Sequence, residues 1–67
     1  MVRSACHAVR KEPELGGGMW QSIVMWPDGR TTHTATGSRE RCIELAESEI
    51  RERGLRPVYS AAILSVY

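Results

Sequence analysis

Charge of one sign is the first thing this sequence lacks. Nine basic residues meet eight acidic ones, for a formal net charge of +1. That balance provides no long-range attraction to phosphate or to anionic membranes. No run of 18 apolar residues is present, which excludes an apolar membrane-spanning helix. The opening stretch, MVRSACHAVRKEPEL, has no continuous apolar segment of the kind a secretory signal needs. The expected compartment is therefore cytoplasmic. Cysteine is scarce as well. Cys6 and Cys42 leave room for one bridge at most and make no disulfide framework.

Chemical motifs are equally sparse. Cys6, His7, His33 and Cys42 include no C-x-x-C or H-x3-H pair, so their spacing matches no zinc signature. Gly16, Gly17 and Gly18 precede a strand rather than a helix, and no Lys-Ser or Lys-Thr follows them, so they form no phosphate loop. Cys42 in the first turns of a helix with His33 on a neighbouring strand is the nearest approach to a nucleophile and base. No third residue is placed to orient the histidine. The seven Glu and one Asp mostly alternate with Arg, as on a solvated helix face. The expectation is a protein that is not an enzyme, with no cofactor, no metal and no small-molecule substrate.

At 67 residues the chain makes a single domain, 1–67. A core of this size contributes a net stability of only roughly 3–5 kcal/mol. Its apolar fraction of 42% and charged fraction of 25% are ordinary for a folded chain. Eight of the nine basic residues are Arg, whose planar fork suits interfaces.

The local patterns predict an α+β fold. Met19 to Trp26 reads as a strand, Pro27-Asp28-Gly29 as a three-residue turn, and Arg30 to Thr36 as a polar return strand, giving a β-hairpin over 19–36. That loop sets Trp26 opposite Arg30, Val24 opposite Thr32, Ile23 opposite His33 and Trp20 opposite Thr36. Ser38 is a natural N-cap for the one main α-helix, 39–53. The helix carries Cys42, Ile43, Leu45, Ala46 and Ile50 within an arc of about 160°. Glu47–Arg51 and Glu49–Arg53 form favourable i,i+4 pairs, and Gly54 followed by Leu55 suits a Schellman stop. A C-terminal strand over 58–67 completes a small antiparallel or mixed sheet, with the hairpin strand Met19–Trp26 as a candidate neighbour. Residues 4–12 read as a possible short N-terminal helix that Pro13 would end, the alternative being a short strand from Val2 to Val9. Residues 1–15 are a possible appendage joined by Gly16–Gly18.

The hairpin strand is apolar on both faces. Met19, Ile23 and Met25 point one way, and Trp20, Val24 and Trp26 the other. One four-turn helix covers only one face of a three-stranded sheet. An open aromatic face would be unusual for a monomer, so a partner is expected to cover it, the alternative being that the tryptophans are simply core. The anchors would be Trp20 and Trp26, flanked by Tyr59 and Tyr67, with Arg30 stacked near Trp26. The expected function is a small protein–protein interaction module that forms a homodimer or binds and blocks a larger protein. Small accessory inhibitors of phages and mobile elements act in this way. The alternative is a nucleic-acid-binding module that stacks bases on the sheet aromatics and meets phosphates with Arg30, Arg39, Arg41 and Arg56.

Overall fold

The hairpin forms in the predicted register. In a computed structural model, which describes residues 3–11 and 18–66, strands β2 (Trp20–Met25) and β3 (Thr31–Thr36) pair antiparallel, with Ile23 opposite His33, Val24 opposite Thr32 and Trp20 opposite Thr36. The turn closes through Gly29 N–H donating to Trp26 C=O at 3.0 Å and Trp26 N–H donating to Arg30 C=O at 2.8 Å. Asp28 Oδ1 accepts from Arg30 N–H at 2.9 Å. Gly29 has φ of +91°, the left-handed conformation that a three-residue loop requires.

Helix α1 (Arg39–Glu52) begins where the sequence places it. Ser38 is the N-cap, and its Oγ accepts from Arg41 N–H at 3.3 Å. It ends in a Schellman pair, with Leu55 N–H donating to Ile50 C=O at 3.2 Å and Gly54 N–H to Arg51 C=O at 2.9 Å. The ion pairs Arg51–Glu47 and Arg53–Glu49 are present at 4.0 and 3.9 Å. Cys42, Ala46 and Ile50, four residues apart, are the helix side chains that bury.

The N-terminal segment differs from the expected helix. Ser4–Lys11 is strand β1, and it lies inside the sheet, between β2 and β4, rather than appended to it. β1 pairs antiparallel with β2 and parallel with β4 (Arg56–Tyr59), so the sheet is mixed, in the order β3-β2-β1-β4. Ala5, His7, Ala8 and Val9 are all buried, because an interior strand is covered on both faces and shows no polar alternation. A two-turn helix could not have buried both sides of this segment and would be marginal by itself. The proposed joint at Gly16 and Gly17 lies outside the described residues. Gly18 has φ of +74°.

The C-terminus also departs from the expected strand over 58–67. β4 is four residues long and sits at a sheet edge beside β1, not beside β2. Ser60 N–H donates to His7 C=O at 2.9 Å, and the chain then turns into a 3-10 helix, Ala61–Val66. An extended strand would point Ile63 and Leu64 to opposite sides. The helical turn brings both onto the sheet face formed by Cys6, Ala8, Ile23 and Met25.

Two apolar layers result. On one side α1 packs Ala46 and Ile50 against Ala5, Val24 and Trp26, with Leu55 at the edge. On the other, Ile63 seats on Ala8 and Ile23. The aromatic side expected to lie open is therefore the side α1 covers, and the opposite face is capped by the chain's own C-terminal turn. Among the described residues, the large apolar side chains left exposed are Val58 and Tyr59. No helix among them is long and apolar enough to cross a membrane.

Candidate binding site

One end of the sheet gathers what the sequence scatters. Trp26 follows β2, the turn carries Asp28 and Arg30, Arg53 and Leu55 follow the helix, and Arg3 precedes β1. The Arg3 carbonyl accepts from Arg56 N–H at 2.9 Å, which ties the start of β1 to the start of β4. Together with Pro27 and Thr32 these residues line a cleft of about 340 Å³, at the small end of ligand pockets.

Trp26 forms the floor of the cleft. The residue is only 6% exposed, and its Nε1–H donates to Thr32 Oγ1 at 2.9 Å, so the buried indole N–H is satisfied. The Arg53 guanidinium carbon lies 4.5 Å from the ring centroid. The cation stacked on Trp26 is thus Arg53, not the expected Arg30. Arg30 turns outward and meets Asp28 Oδ2 at 3.3 Å. Among the described residues the lining holds three guanidiniums and one carboxylate, a net positive set.

The expected anchors separate. Trp26 and Arg30 come together at the cleft. Trp20 lies half-buried at the opposite end of β2, paired with Lys11 and Thr36, and its carbonyl accepts from the buried Cys42 thiol at 3.3 Å. Tyr59, 45% exposed on β4, packs edge-on against His7 with ring centroids 5.4 Å apart. Tyr67 lies outside the described residues. Arg3, Arg53, Thr32 and Leu55 are among the members of the site that sequence reasoning missed. The sequence signal for Arg53 is the Schellman stop, which fixes where it leaves the helix.

The candidate chemistry at cysteine and histidine is dispersed. Cys6 and Cys42 are both free thiols, on opposite sides of the sheet. His33 pairs with Ile23, on the side away from α1, and so does not meet Cys42. Among the described residues, no three His, Cys, Asp or Glu side chains gather as a metal site. His7 is buried under α1 with Nε2 3.9 Å from Glu47 Oε2. Burial pushes its pKa below the usual histidine value, opposed by the Glu47 carboxylate and aided by the Arg51 cation.

Comparison with protein families, with characterised proteins and with solved structures returns no match to this chain.

Proposed function

We propose that this chain is a small, non-enzymatic protein-interaction module that binds and blocks part of a larger protein, as accessory inhibitors do. The observation that carries the reading is the convergence of Arg3, Arg30 and Arg53 around the Trp26 floor. Tryptophan and arginine are the residues most enriched at binding hot spots, and a positive cleft complements an acidic protein surface. Among the described residues, the lining contains no His, Cys, Lys or Tyr, and its one carboxylate is engaged by Arg30. Such a set is suited to holding a group rather than transforming it. The reading places the protein in the cytoplasm, and two free thiols are in keeping with a reducing compartment.

The nucleic-acid alternative needs aromatic rings displayed on an open sheet face. Trp20 and Trp26 belong to the α1 side, which favours the protein reading.

The test uses the intact chain as bait in a nuclease-treated extract of its source cells, with light scattering across a tenfold concentration range. The expected result is one stoichiometric protein partner. It should be lost when Arg3, Arg30 and Arg53 are all changed to Glu and kept when Arg39 and Arg41 are. A mass that doubles from 7.5 kDa and reverts in the triple variant makes the partner a second copy. In a parallel extract without nuclease, retention of nucleic acid with strong salt dependence, and no protein partner, instead overturns the reading.

A further inference from the structure

We infer that the cleft seats the carboxylate of an acidic side chain from the partner, held by Arg3 and Arg53 above Trp26. The inference rests on the interaction reading and names the group recognised.

The three arginines are not equivalent. Asp28 Oδ1 accepts from the Arg30 N–H at 2.9 Å and Oδ2 lies 3.3 Å from Arg30 Nε, so this carboxylate and this guanidinium answer one another. Arg53 is stacked, 4.5 Å from the Trp26 centroid, and its contact to Glu49 is a long 3.9 Å. Stacking uses the face of the guanidinium and leaves its in-plane N–H donors for an acceptor at the edge. Among the described residues no ion pair engages the Arg3 guanidinium. Thr32 supplies a third donor. Its oxygen accepts from Trp26 Nε1, which leaves the hydroxyl proton to point elsewhere. Arg3, with no ion pair among the described residues, Arg53, whose one ion pair among them is the long contact to Glu49, and the Thr32 hydroxyl surround an aromatic floor and form a site for an oxyanion with an apolar stem.

A carboxylate fits better than a phosphoryl group. Phosphate sites typically present a helix N-terminus or a nest of backbone N–H groups. The helix end at this cleft is the C-terminus of α1, whose partial negative charge opposes a dianion more strongly than a monoanion. A monoanion with a methylene stem can place its oxygens on the guanidinium edges and its carbons on Pro27 and Leu55 at the cleft wall.

The experiment is an NMR titration of the intact chain, read at the Trp26 indole and at the arginine Nε–H groups. The probes are acetyl-hexaglutamate amide and, separately, inorganic phosphate, both at low ionic strength. The peptide is expected to shift Trp26 and Arg53 saturably, while the Trp20 indole stays still. Arg3→Gln and Arg53→Gln should each weaken it by about tenfold, whereas Arg39→Gln should not. Because Arg53 also covers Trp26, Arg53→Lys is the folding control. It keeps the charge, loses the fork, and should bind more weakly while remaining folded. No saturable shift at Trp26, or an equal loss on Arg39→Gln, overturns the carboxylate site. Phosphate binding tighter than the peptide overturns it in favour of a phosphoryl ligand. If the peptide fails while partner capture still depends on these arginines, this inference falls and the interaction reading stands.

Discussion

The His7 imidazole is 1% exposed, its Nε2 lies 3.9 Å from Glu47 Oε2, and neither ring nitrogen has a hydrogen-bond partner among the described residues. The native state therefore resists protonation of this ring, and its pKa is lowered chiefly by burial, against the Glu47 carboxylate and with the Arg51 cation. In the unfolded chain the ring titrates at its ordinary value of 6.5. Above that value both states hold it neutral and it contributes no pH dependence. As pH falls through 6.5 the unfolded state takes up the proton first, so stability declines until the native pKa is passed. Urea midpoints from pH 8 downward should be flat and then fall below about 6.5. His7→Leu should remove that limb. A rise in stability on acidification through the same window would contradict the assignment.

Trp26→Ala is expected to unfold much of the population. Its side chain is covered by α1 and packs with Val24, Ala46 and Ile50. Truncations of this kind cost about 3–5 kcal/mol, comparable to the whole stability of a domain this small. The sequence alone suggests that association would suffer more than folding. The burial of Trp26 reverses that order. Trp26→Phe keeps most of the packing but orphans Thr32 and should cost about 1–2 kcal/mol, read from the shift in melting temperature.

Ile63→Ala tests the C-terminal cap. Ile63 is 7% exposed against Ala8 and Ile23, and its loss uncovers the face away from α1. A cost of about 2–4 kcal/mol is expected in chemical denaturation. Light scattering should also report concentration-dependent association, because an apolar sheet face is then open to a second copy. An unchanged midpoint would show that this segment does not stay on the sheet.

Gly54→Ala isolates a backbone effect. Gly54 has φ of +74° and a Cβ there would meet nothing within 4 Å, so crowding is absent and only the left-handed conformation is penalised. The expected loss is about 1 kcal/mol. Ser38→Ala, which removes the Oγ acceptor for Arg41 N–H, should cost a similar amount at the other end of α1. The two losses should add, because the sites share no partner.

Local rules made much of this fold legible. The Trp26-to-Arg30 turn set the β2–β3 register through loop length and one left-handed glycine, and Ser38 and Gly54 bounded α1 through their own backbone chemistry. β1 was less legible because Ala5, His7, Ala8 and Val9 show no period when both faces are buried. The Ala61–Val66 segment has apolar residues that suit a strand locally, and it became a 3-10 helix because the face bearing Ala8 and Ile23 needed both Ile63 and Leu64. Of the candidate site only Trp26 and Arg30 were readable as binding residues, since they flank one turn.

The sequence by itself determined the hairpin, the helix with both its caps, and the α+β class, because each depends on residues within a few positions of one another. Tertiary structure alone decided that α1 covers Trp26 and that the C-terminal turn caps the opposite face. It also decided that Arg3 and Arg53, 50 positions apart in the numbering, meet at one cleft. Those outcomes depend on which apolar surfaces bury one another across the whole chain, a competition that no local window contains.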